Sequence, residues 1–88
     1  MYIKEADVMD TWFPKNPGAI LQKAYEFESD IWIEVNEQRE NAKILLDILK
    51  LHIRSGTHIT IITDGSDEVE AADAIADLVT NDYYNDIW

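Results

Sequence analysis

The sequence has 88 residues, enough for one small domain. Its 18 Asp+Glu against 7 Lys+Arg give a formal charge of −11, which argues against nucleic acid and against an anionic membrane surface, because both need a basic face. There is no cysteine for a disulfide or thiolate metal site, no signal-peptide core follows Met1, and no stretch nears the ~20 apolar residues of a membrane helix, so a soluble, cytoplasmic protein is expected.

Residues 2–9 alternate imperfectly and predict a first strand, followed by an irregular turn over Asp10–Pro14. Asn16-Pro17 reads as a helix start, since Asn caps and Pro suits the first helical position. Ile20, Leu21, Ala24 and Phe27 follow at helical spacing, predicting a helix that ends near Glu28. Ile31, Ile33 and Val35 alternate with Trp32 and Glu34 as a clear strand. A turn over Asn36-Glu37-Gln38 and a short return strand over 39–42 come next. Lys43 to His52 predicts a second helix, ended by Ser55-Gly56 with Gly56 left-handed.

Ile59, Ile61 and Thr63 belong to a β-branched run that predicts another strand. Asp64-Gly65 turns the chain, and Ser66 or Asp67 caps a last helix with acids in its first turn. Val69, Ala72, Ala76 and Val79 form the apolar stripe of that helix, with Ile75 beside it. The order is β-α-β-β-α-β-α over a domain of residues 1–80, followed by an aromatic tail over 81–88.

The segment S-G-T-H-I-T-I-I-T-D-G-S-D-E-V-E-A-A-D-A-I-A-D-L-V, from Ser55 to Val79, resembles the HPr family, the histidine-containing phosphocarriers of the bacterial phosphotransferase system. Gly56-Thr57, Gly65 and Asp67-Glu68 fall in register with that family. E-F-E-S-D-I-W-I-E-V resembles its first helix end and second strand, and Asn41-Ala42-Lys43 resembles the S-A-K opening its middle helix. The resemblance spans roughly residues 2–80. It implies an α+β, open-faced β-sandwich: a four-stranded antiparallel sheet with three helices on one face.

The active-site loop departs from the pattern. Active members carry G-L-H-T-R-P-A, whose His takes phosphate from Enzyme I and passes it to a sugar permease subunit. Here the segment is Trp12-Phe13-Pro14-Lys15-Asn16-Pro17-Gly18. Aligning Pro17 with the family proline puts Pro14 at the His position and Asn16 at the Arg; a slip of one puts Phe13 or Lys15 there. No register restores the His, because none occurs in residues 1–51. The regulatory Ser of many Gram-positive members is replaced by Ile44, and no Ser, Thr or Tyr occurs from 30 to 54. A regulatory branch of the family lacks the His but keeps that Ser; this chain lacks both.

Phosphoryl transfer needs an imidazole exposed at a helix N-terminus, whose amides and dipole hold the phosphoryl group. His52 and His58 precede no helix and read as surface residues, and two isolated His give no metal-ligand spacing. Asp67/Glu68 and Glu70/Asp73 suit capping and a solvated face rather than acid–base catalysis. No cofactor is expected. In the middle helix, Ile44, Leu45, Leu46, Ile48, Leu49 and Leu51 wrap around more than one face. Either the core is deeper than usual, or Ile44, Leu45 and Leu49 form a docking patch for a partner or a second copy of the chain. Trp32, Thr60 and Ile62 fall on the strand faces without helices, where Tyr83, Tyr84, Ile87 and Trp88 of the tail could fold back.

The function expected is a non-enzymatic, non-phosphorylatable HPr-like protein. It binds phosphotransferase-system proteins or a regulator, with a homodimer also open. The alternatives are a phosphocarrier acting through His52 or His58, and a stand-alone interaction scaffold.

Overall fold

The β-branched segment His58–Asp64 becomes β4, an inner strand of a four-stranded antiparallel sheet ordered β1-β4-β2-β3. The computed structural model describes residues 1–8, 17–54 and 56–80. In chain order the other elements are β1 (Tyr2–Asp7), α1 (Pro17–Ala24), β2 (Asp30–Val35), β3 (Gln38–Asn41), α2 (Leu45–Lys50) and α3 (Glu68–Thr80). This is the α+β open-faced sandwich that the sequence implies.

Register decides which residues face the helices. Ala6 pairs with Ile59, Lys4 with Ile61, and Ile61 in turn with Ile33. These positions carry the core: Ile31, Ile33, Ile59 and Ile61 are buried against Ile20 and Ala24 of α1 and Ile75 and Val79 of α3. A buried side chain of this size contributes roughly 1.5–3 kcal/mol through apolar transfer. Lys4 lies on the same face near the sheet edge, and its Nζ reaches Asp73 of α3 at 2.8 Å. The ion pair raises the ammonium pKa through the hydrogen bond to Asp73 first and its charge second.

The opposite face carries no helix among the described residues. Ile62 lies there between Ile3 of β1 and Trp32 of β2, as alternation predicts. It is nonetheless only 2% exposed, while Ile3 is open to solvent. The tail residues Tyr83, Tyr84, Ile87 and Trp88 lie outside the described residues.

Several expectations are corrected. α1 stops at Ala24, not Glu28, because the bonds from Glu26 N–H to Lys23 O and Phe27 N–H to Ala24 O tighten the chain into three-residue turns. The β2–β3 turn needs only Asn36 and Glu37, which take φ of +50° and +69°, so β3 begins at Gln38. α2 is six residues long and not ten. Its end is set by His52, left-handed at φ +51°, whose N–H reaches Leu49 O; Gly56, at φ +84°, shapes the later turn.

In α3, Val69 is exposed. The buried arc of Ala71, Ala72, Ile75, Ala76, Leu78 and Val79 is centred between Ala71 and Ala72, and Val69 lies about 100° from that centre. Asp67 does not cap α3 with its side chain. Its carboxylate accepts the Glu28 and Ser29 N–H groups, each at 3.0 Å, and the Ser29 hydroxyl. Glu68 closes the turn instead, accepting the Gly65 N–H at 3.1 Å.

Candidate functional site

The first candidate is the start of α1, where the resemblance places the phosphoryl-accepting group. Pro17 opens the helix, as a residue lacking an N–H can. Phe13, Pro14, Lys15 and Asn16 lie outside the described residues. The chain has no His before His52.

The second candidate is α2 and the turn before it. Asn41 Oδ1 accepts the Lys43 N–H at 2.8 Å, which turns the chain out of β3. Lys43 Nζ donates to Phe27 O at 2.8 Å, and the Tyr25 hydroxyl donates to Lys43 O at 2.9 Å. These two bonds tie the front of α2 to the segment after α1. Ile44, where the resemblance places the family Ser, is the N-cap; it is extended (φ −125°, ψ 115°) and offers no side-chain cap. Ala42 in the turn and, from Ile44 onward, Ile48 and Leu51 turn into the core.

The remaining apolar side chains point outward. Ile44 is 46% exposed, Leu45 41%, Leu49 44% and Leu46 70%. The apolar surplus of this helix is therefore at the surface and not a deeper core. Leu45 and Leu49 share α2, and Ile44 caps it. Leu46, the most exposed, lies outside the expected patch, although its place in a run of Ile and Leu too dense for one stripe is the signal. Trp32 does not join them; it is half-buried on the outer face of the sheet.

The two histidines are not equivalent. His52 is exposed beyond the end of α2. His58, on the outer face of β4, has both ring nitrogens engaged: Nδ1 meets Asp7 Oδ1 at 2.7 Å and Nε2 meets Glu5 Oε1 at 2.6 Å. The hydrogen bond to Asp7, then that to Glu5, raises its pKa. With a carboxylate on each ring nitrogen, neither nitrogen is open to an incoming phosphoryl group.

Among the described residues, no group of three or more His, Asp or Glu side chains has the arrangement of a metal site, and no helix is long and apolar enough to cross a membrane.

A family model described as "PTS HPr component phosphorylation site" matches residues 17–81. The chain belongs to the HPr family. Among HPr relatives, it is 39% identical over 77 residues to the HPr-like protein Crh of Halalkalibacterium halodurans, covering 85% of this chain and 92% of that protein. The fold superposes on the phosphocarrier protein HPr of Bacillus anthracis with a TM-score of 0.83 and 37% identity, over 90% of this chain and 96% of the other. It also matches a crystal structure of an HPr dimer from Thermoanaerobacter tengcongensis, with a TM-score of 0.69 and 32% identity, over 83% and 85% of the two chains.

Proposed function

We propose that this HPr-family chain is a non-phosphorylatable, non-enzymatic binding or regulatory protein related to the sugar phosphotransferase system. One observation carries the reading. The chain has no His ahead of α1 and Ile44 where relatives carry Ser, yet α2 turns Ile44, Leu45, Leu46 and Leu49 to solvent. The nucleophiles of phosphoryl chemistry are missing, while the surface at α2 is apolar. An apolar cluster of this kind marks a contact surface.

The partner fitting this surface is a protein, either a component of the phosphotransferase system or a regulator, in the cytoplasm. A second copy of the chain is the other occupant in this reading, as in the dimeric relative. The net charge of −11 favours a partner with basic residues around its apolar contact.

Incubation with Enzyme I and phosphoenolpyruvate should leave the chain unlabelled; acid-labile phosphate on His52 or His58 overturns the proposal. Leu45→Asp should abolish partner or self-association in sedimentation while leaving the fold intact. A wild type that is strictly monomeric and captures no phosphotransferase component, with Leu45→Asp changing nothing, removes the docking surface.

A further inference from the structure

A cavity of about 410 Å³ opens between the β2–β3 turn and the segment following α2. Its polar lining is Asn36, Gln38, Lys50, His52, Arg54 and Thr57; its apolar wall is Val35 and Leu51. No carboxylate lines it, in a chain with 18 of them. We infer that this cavity binds a small phosphate monoester.

The distribution of cations supports the choice of ligand. Elsewhere among the described residues, Lys4 is paired with Asp73, Lys23 with Glu26, Arg39 with Glu34, and His58 with Glu5 and Asp7. Lys43 is bound to a backbone carbonyl. Arg54 and His52 have no ion-pair partner among the described residues, and Lys50 pairs with Asp47 at 3.5 Å. The two basic side chains without an ion pair among the described residues thus border one concavity, with Lys50 beside them. Exposed charges beyond about 8 Å are screened at physiological salt, so the opposing field comes from nearby acids, of which Glu40 accepts a Gln38 amide hydrogen at 2.9 Å and Asp47 pairs with Lys50 at 3.5 Å.

The local donors match a phosphoryl group. A guanidinium can meet two of its oxygens at once, and an ammonium adds a point charge. The Thr57 hydroxyl oxygen already accepts the Arg54 N–H at 3.1 Å, which leaves its O–H hydrogen to donate. Gln38 uses one amide hydrogen on Glu40 and keeps the other. The cavity exceeds the needs of a bare ion and falls in the range of small-ligand sites, roughly 300–1,000 Å³. Val35 and Leu51 would meet the organic part of the ester. Two of the three non-glycine residues with left-handed backbone among the described residues, Asn36 and His52, line this cavity, and such conformations concentrate where ligands are held.

The site is independent of the α2 patch and of the missing His. The ¹⁵N-labelled full chain is titrated at constant ionic strength with glycerol phosphate, inorganic phosphate and glycerol, and amide shifts are followed. Glycerol phosphate should give saturable shifts confined to residues 36–38, 50–54 and 57, and glycerol none. Weaker binding of inorganic phosphate supports an ester ligand; equal binding supports the anion site but assigns it to free phosphate. Arg54→Gln should weaken binding at least fivefold and Lys50→Gln at least twofold, with β2 and β4 amides unmoved as the check on folding. Shifts that never saturate, shifts scattered over the surface, or full affinity in both variants overturn the inference.

Discussion

Two joints of the molecule are built on opposite terms. Where the β4–α3 turn meets the α1–β2 loop, side-chain hydrogen bonds lock the chain: the Asp67 carboxylate takes two N–H groups and the Ser29 hydroxyl, and Glu68 takes the Gly65 N–H. At α2 the N-cap is an isoleucine without a capping bond, the helix lasts six residues, and it ends on a left-handed histidine. A helix this short has little stability of its own, so α2 persists through Ile48, Leu51 and the bonds at Lys43. The first joint holds the fold; the second gives up local stability for an apolar surface.

The largest effect on this contrast should come from Gly65→Ala. A Cβ at position 65 would sit 2.6 Å from Ser29 Oγ and 2.7 Å from Ser29 Cα, too close for any relaxation that spares the backbone. We expect a loss of about 3 kcal/mol in urea unfolding, at the upper end of overpacking costs. An unchanged midpoint would mean that the joint is looser than its hydrogen bonds imply.

A smaller loss, with a pH signature, is expected for Asp67→Asn. The Ser29 hydroxyl first, then the Glu28 N–H, lower the Asp67 pKa. A carboxylate with a depressed folded-state pKa stabilises the fold above its unfolded value, about 3.9, and loses that contribution as pH falls through the lower folded value. The stability gap between wild type and Asp67→Asn should therefore be full at pH 7 and close below about pH 4. A gap constant from pH 7 to 2 would show that the carboxylate charge plays no part.

The smallest effect reverses sign. His52 at φ +51° occupies a region that costs a non-glycine residue about 1–2 kcal/mol, part of which glycine returns in unfolded-state entropy. His52→Gly should stabilise the chain by about 0.5–1 kcal/mol in thermal unfolding. Destabilisation would reveal a contact of the imidazole that offsets the strain.

The fold was largely legible because its signals are local. The β-branched run of β4, the alternation of β2 and the Ala-rich stripe of α3 each specify an element without outside help. The errors fall where a distant partner decides. Asp67 resembles a helix cap in sequence, and only the approach of Ser29 from 38 positions away turns it into a bridge. The left-handed His52 could not be foreseen beside a glycine four residues on, which is the usual place to end a helix. The surplus of Ile and Leu in α2 was visible, but its exposure depended on how few turns of that helix form. The basic cavity escaped notice because Gln38 and Arg54 meet only after the sheet has brought β3 near the end of α2.

The strand order also bears on how the chain avoids joining others end on end in fibrils. The apolar strands β2 and β4 are inner, each with neighbours on both sides. The outer positions fall to β1, with Lys4, Glu5 and Asp7, and to β3, which is four residues long and carries Arg39 and Glu40. An added strand of the same kind would bring charge against charge at either border, so growth by edge pairing is discouraged by the sequence of the edges themselves.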